Sequence, residues 1–207
     1  MNKGTDKDGM REGIIDAAKR LMAQYGYRKM TMSDLAAEAG IGVGTTYLYF
    51  SGKDEVALAV VERANRHVLT QLQSLADSEG KATARLRAML IARVMLRFEM
   101  ARPYPQQHRE EFRKAIETTL QERRTCWQQD ETQLFVGVLR TGQAQGEFES
   151  VDADELAPTL LLATNALMPG NLHPHEFAAP DQVRLRAAQL ADLLLRAVLL
   201  PTAKPTD

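Results

Sequence analysis

The sequence predicts an all-α protein of about nine helices, and three observations carry that prediction. Ala (28) and Leu (26) together outnumber Val (11) and Ile (5) more than threefold, so good helix formers swamp good strand formers. Apolar residues recur at spacings of three and four along most of the chain. Capping residues open these stripes, and glycines or prolines close them. At 44% apolar and 26% charged residues, the composition excludes a disordered chain or a fibrous repeat.

Residues 1–9 are small, polar and unpatterned, and are expected to be unordered. A first helix follows with Ile14, Ala18, Leu21 and Tyr25 on one face and Gly26 as its stop. Thr31 with Asp34 forms a capping-box pattern for a short second helix, whose inner face is Leu35, Ala36 and Ala39. The glycines between Gly40 and Gly44 break it, and a third short helix runs from Val43 to Phe50. Ser51 and Asp54 repeat the capping pattern before a long helix striped by Ala57, Val61, Ala64, Val68, Leu72 and Leu75. A strongly apolar helix then runs to about Arg102, where Pro103 and Pro105 stop it. Residues 107–145 read as one broken helix or two consecutive ones, and Asp152 with Glu155 caps a helix over 152–168. The segment 169–180 reads as a loop, 181–199 as the last helix, and 201–207 as a tail.

Charge excludes little by itself. The formal net charge is −1, and the chain splits into +1 up to Arg66 (10 basic, 9 acidic) and −2 beyond it (16 basic, 18 acidic). A nucleic-acid partner must therefore be argued from where particular cations sit. The most apolar window, Leu86 to Ala101, is cut by Arg93, Arg97 and Glu99, which excludes a membrane span there. One cysteine, Cys126, and no apolar leader run in MNKGTDKDGM predict a reducing, cytoplasmic setting. Cys126 beside Trp127 is expected to be buried and inert.

The informative stretch is residues 31–53. Two short helices joined by a tight turn at Gly40, with small Ala36 where they approach, describe a helix-turn-helix. Its second helix would enter the major groove, presenting Thr45, Thr46, Tyr47 and Tyr49 as hydroxyl donors, with Lys53 placed for a phosphate. The glycine run is not a phosphate loop: GxGxxG needs glycine where Thr45 stands, and a Walker loop needs Lys after Gly44.

These residues resemble the tetracycline-repressor (TetR) family of transcriptional regulators. The similarity covers residues 11–66 and rests on Tyr25, Gly26 and Tyr27, on Leu35 and Ala36 with Ala39 and Gly40, and on Gly44, Thr45, Tyr47, Tyr49, Phe50 and Lys53. It implies DNA-contact roles for Thr31, Thr45, Tyr47, Tyr49 and Lys53. Two positions depart from the pattern. Gly42 and Val43 stand where members commonly carry Ser and a basic residue, leaving Val43 for a thymine methyl. Thr46 stands where an aliphatic residue is usual, and either buries its methyl or joins the contact set.

The resemblance divides the chain into an unordered N-terminus (1–9), a helix-turn-helix domain (10–55), a helical effector-binding and dimerisation domain (56–200) and a tail (201–207). The last two long helices are expected to form a homodimer interface through Leu160, Ala163, Leu167, Ala187, Leu190, Ala191 and Leu194. Arg93 and Arg97, one helical turn apart, read either as a salt-bridged stripe or as cations aimed at an anionic effector. Phe98, Tyr104 and Trp127 would complete such a pocket, or belong to the core. His173 and His175 read as loop polarity, and no metal or cofactor pattern is found. The expected function is a DNA-binding regulator, a repressor released from a palindromic operator by a small molecule. The rival is a helical carrier or enzyme with an incidental helix-turn-helix, disfavoured because no catalytic grouping appears.

Overall fold

A computed structural model describes residues 3–199. Among the described residues there are nine α-helices: α1 (Lys3–Tyr25), α2 (Met32–Glu38), α3 (Val43–Tyr49), α4 (Lys53–Ala76), α5 (Ala82–Ala101), α6 (Gln106–Ala144), α7 (Ala153–Thr164), α8 (Pro174–Phe177) and α9 (Pro180–Arg196). A 3-10 turn at Asn165–Leu167 extends α7, and Phe148 and Leu199 form an isolated β-bridge.

The chain forms two compact units, the first comprising residues up to Arg66 together with Met100–Thr125, the second His67–Glu99 with Cys126 onward. The first unit is thus discontinuous, where the sequence suggests a single cut at residues 55/56. The reason is a set of contacts made by the start of α6. The Phe112 ring lies 5.6 Å from that of Tyr27, Glu111 accepts the Arg28 backbone N–H at 2.8 Å, and His108 Nδ1 is 3.3 Å from the Ala23 carbonyl.

In the first unit, Ile14, Ile15, Ala18 and Leu21 of α1, Leu35 and Ala36 of α2, Phe50, and Val56 and Ala57 of α4 share a core. Each large aliphatic or aromatic side chain so buried contributes about 1.5–3 kcal/mol. Tyr25, expected on the inner stripe, is half exposed, because the helix ends there and Gly26 turns the chain away at φ +83°. Arg63 of α4 forks onto α1, with Nη1 on Glu12 at 2.9 Å and Nη2 on Asp16 at 2.6 Å. Helix α1 starts at Lys3 rather than near residue 10. No proline precedes its apolar turns, so the hydrogen-bond ladder propagates outward from them.

The Thr31 capping box forms as expected, but Ser51 is served by Glu55, which accepts its backbone N–H at 2.7 Å and its hydroxyl at 2.9 Å. Asp54 faces Tyr27 instead.

Helix α6 is one unbroken helix of 39 residues. Neither Pro nor Gly occurs between Gln106 and Val136, so nothing breaks the ladder, and the helix stops where Gly146 adopts φ +70° and Glu147 N–H reaches back to the Gly142 carbonyl at 2.8 Å. Cys126 lies exposed on it, contrary to the expected burial, because its neighbours Arg123, Arg124 and Thr125 also face solvent. The 169–180 segment contains α8, a single turn opened by Pro174 and tied by Glu176 to the His173 N–H at 2.9 Å. The 201–207 tail lies outside the described residues.

The second unit packs Val94, Met95 and Phe98 of α5 against Leu167 and against Val183 and Ala187 of α9. Its α5 is capped from a distance: the Glu147 carboxylate accepts the Ala82 N–H at 3.0 Å, the Thr83 N–H at 2.9 Å and the Thr83 hydroxyl at 2.7 Å. Burial alone would raise the Glu147 pKa, but the hydrogen bonds from Thr83 and Ala82 and the charge of Lys81 outweigh it, so the group lies below its ordinary value. A depressed carboxylate contributes stability that is present above its unfolded pKa and is lost as pH falls through the folded one. Glu147→Gln is expected to destabilise the protein by about 1 kcal/mol at neutral pH. The gap between variant and parent should close on acidification below the carboxylate range, as urea denaturation at the two pH values would record.

Candidate nucleic-acid interface

Helix α3 is held from behind. Gly40 at φ +68° makes the turn, and the Ile41 N–H returns to the Ala36 carbonyl at 2.9 Å, which locks α3 against α2. Thr46 is fully buried beneath α3, and its hydroxyl donates to the Val43 carbonyl at 2.8 Å. Thr46 therefore leaves the set of residues that can touch DNA, because both its methyl and its proton face inward.

Outward from α3 project Val43 (41% exposed), Tyr47 (54%) and Leu48 (79%), with Gly42 and Gly44 bare beside them. Thr45 and Tyr49 are half-buried. The structure thus brings Gly42, Val43, Thr45, Tyr47 and Tyr49 to one short helix and its cap.

Thr31 is exposed, but its hydroxyl proton is directed to Asp34 Oδ2 at 2.7 Å while the oxygen receives the Asp34 N–H at 3.2 Å. It thereby caps α2 and has no proton left for a phosphate. Lys53 opens α4 with its ammonium 3.2 Å from the Arg28 carbonyl, 3.5 Å from that of Met30 and 4.8 Å from the centre of the Tyr27 ring. Two of its three protons are occupied, and the third can serve a phosphate oxygen. Tyr27 donates its hydroxyl to Asp54, and burial followed by that carboxylate pushes its pKa up, so it remains a neutral platform under Lys53.

Three residues of this surface escaped the sequence reading. Arg28 and Lys29 are exposed in the loop leading to Thr31, where adjacent cations could have signalled them. Leu48 had no signal, since one leucine in a short helix reads as core.

In the second unit, Arg93 is buried and Arg97 partly so, and both are spent on internal partners. Arg93 (7% exposed) donates Nε to Glu131 at 3.1 Å and Nη2 to Asn165 at 3.0 Å, and its Nη1 bonds Thr164. Arg97 clamps both oxygens of Glu131 at 3.0 Å. Phe98 is buried with its ring 4.9 Å from that of Phe177, and Trp127 is half-buried. Tyr104 belongs to the first unit, and the other four to the second. Of the expected interface, Leu160, Leu167, Ala187 and Ala191 are buried in the unit's own core, while Ala163, Leu190 and Leu194 are half-buried. Leu167 and Ala187, with half-buried Leu190, pack against Val94, Met95 and Phe98 of α5. The apolar side chains that α7 and α9 leave exposed are Leu162, Leu185 and Leu193, the last at 63%.

His173 and His175 stack at 5.8 Å, and the described residues contain no group of three or more His, Cys, Asp or Glu able to hold a metal. No described helix is long and apolar enough to cross a membrane.

Residues 14–60 match the family model for bacterial regulatory proteins of the tetR family. The fatty acid metabolism regulator protein of Bacillus subtilis is 32% identical over 78 residues, 38% of this chain and 39% of that protein. The chain thus spans about two fifths of that curated relative, and its match to the BetI transcriptional regulator of Rhizobium meliloti (30% identical) covers 45% of each. Solved structures agree over nearly the whole length. A TetR/AcrR-family regulator from Thermobifida fusca superposes with a TM-score of 0.69 at 23% identity, covering 89% of this chain and 96% of that one. SmeT in complex with triclosan gives 0.68 at 21% identity, covering 96% and 100%. The family model falls on the helices that carry this surface, so residues 14–60 form an N-terminal domain of the kind found in bacterial regulatory proteins of the tetR family, and the solved structures share the fold of the whole chain.

Proposed function

We propose that the protein is a homodimeric, sequence-specific transcriptional regulator, a cytoplasmic repressor that a small molecule releases from a palindromic operator. The observation that carries this reading is the α3 surface: a short helix braced by a buried core, with an uncharged face exposed and Arg28, Lys29 and Lys53 placed near the start of α2. Cations at the rim position a duplex, and side chains in the middle read it.

Two-fold pairing through Leu162 of α7 and Leu185 and Leu193 of α9 supplies the second recognition helix, replacing the buried stripe first expected. Half-sites then lie about one helical turn apart, or a multiple of it. Release fits the fold's company: SmeT is solved with triclosan, and a transcriptional regulator from Saccharomonospora viridis with choline. An effector that prefers the conformation in which the two recognition helices are wrongly spaced lowers operator affinity by reciprocal linkage.

The test is selection of bound duplexes from random DNA at physiological salt, followed by affinity measurements across salt concentrations. A palindrome with steeply salt-dependent binding is expected. Lys53→Ala should weaken binding uniformly across sequences and reduce the salt slope by about 1. A folded protein that recovers no sequence would favour the carrier or enzyme reading instead.

A further inference from the structure

The outward face of α3 lacks the groups that usually read bases by hydrogen bonds. Its sequence, VGTTYLY, contains no Arg or Lys for guanine, no Asn or Gln for adenine and no carboxylate for cytosine. The face is instead apolar at its centre. Val43 and Tyr47 form one row four residues apart, and Gly44 and Leu48 form the next. Leu48, at 79%, is among the most exposed large apolar side chains described.

Gly44 adds an independent observation. A helical glycine costs about 0.5–1 kcal/mol relative to alanine. Nothing inside the protein requires it here, since a Cβ at that position would meet no atom within 4 Å. A bare position on an outward helical face, beside an exposed leucine, suits close approach by an external surface.

Resting on the operator-binding reading above, we infer that Leu48, together with Val43 and across the bare backbone of Gly44, reads thymine 5-methyl groups in the major groove. The thymine methyl is the one apolar group that base edges present there. The cations are not on α3 but in the loop before α2 and at the start of α4, as expected if the phosphates meet Arg28, Lys29 and Lys53 while the bases meet carbon. The half-site therefore carries A·T pairs where α3 docks, and it is discriminated by van der Waals contact and desolvation instead of by arginine–guanine pairing.

The test uses the full chain and the duplex recovered by selection, with each thymine in turn replaced by uracil. That change removes the methyl and leaves the hydrogen-bonding edges intact. One buried methyl group corresponds to about fourfold in affinity, so uracil placed at the symmetric position of both half-sites should weaken binding about sixteenfold. Leu48→Ala, at a site with no internal packing role, should fold normally and bind the thymine and uracil duplexes alike. Sequence-specific binding by the parent that is indifferent to uracil at every position overturns the inference and leaves the operator reading standing. So does a recovered half-site that lacks thymine. Loss of all sequence-specific binding by the folded parent overturns the operator reading itself, and this inference with it.

Discussion

Glu131→Ala is expected to remove about 3–5 kcal/mol of stability, the effect of uncovering a buried charge, and not the fraction of a kcal/mol typical of a surface ion pair. Glu131 is 3% exposed and its two oxygens hold two guanidinium groups, Arg93 through Nε at 3.1 Å and Arg97 through both nitrogens at 3.0 Å. Burial lowers the Arg93 pKa, Glu131 counters that, and Arg97 adds to the lowering. Deleting the carboxylate leaves two cations facing each other, one of them nearly sealed from water. Thr164 and Asn165 still accept hydrogen bonds from Arg93, but neither carries charge. Arg97→Ala should be milder, because the Arg97 side chain is 25% exposed and its removal leaves a neutral Arg93–Glu131 pair. Urea denaturation of the three proteins checks the order; a loss below about 1 kcal/mol for Glu131→Ala would show that water reaches the cluster.

That cluster also shows where sequence reasoning stops. The Arg93/Arg97 pair was visible as an i, i+4 spacing, and its salt-bridged reading was available. Glu131, however, lies 34 and 38 residues away on α6, and no local pattern links it to α5. The same limit applies to Glu147, which caps α5 from 64 and 65 residues downstream. By contrast, much of the local structure from α1 to α3 was legible, though not the start of α1, the Ser51 cap or the part that α6 plays in the first unit. The Thr31 cap, the Gly26 and Gly40 turns and the Ile14, Ala18, Leu21 face are all written in spacings shorter than a helical turn or two. The α7 and α9 stripes were legible as apolar, but periodicity cannot say whether such a stripe meets its own core or another copy. Leu160 and Ala191 turned inward, and the outward leucines lie at neighbouring positions, such as Leu162 and Leu193.

Gly142→Ala carries the second large effect, and here two opposing magnitudes decide the sign. Alanine is the better helix former by about 1 kcal/mol, so propensity alone favours the substitution in α6. Yet a Cβ at Gly142 would sit 2.2 Å and 2.3 Å from two ring carbons of Phe148 and 2.9 Å from the Ala82 Cβ. The Phe148 ring cannot simply withdraw: it is 3% exposed, and its residue is pinned by the bridge to Leu199 and by its N–H on the Gly142 carbonyl. Forcing extra volume into such a site costs about 1–3 kcal/mol, and the depth of this overlap argues for the upper end or beyond. The expected net is a loss of about 2 kcal/mol, the propensity gain subtracted. Gly137 provides the control on the same helix. It is exposed, and a Cβ there would meet no atom within 4 Å, so Gly137→Ala should stabilise by about 0.5–1 kcal/mol. Thermal melts of the two variants should therefore move in opposite directions. If both rise, Phe148 has room to move and the junction between α5 and the end of α6 yields to the added methyl. If Gly142→Ala alone falls and Phe148→Leu restores part of the loss, the ring is the obstacle, and the junction that also carries the Glu147 cap is rigid.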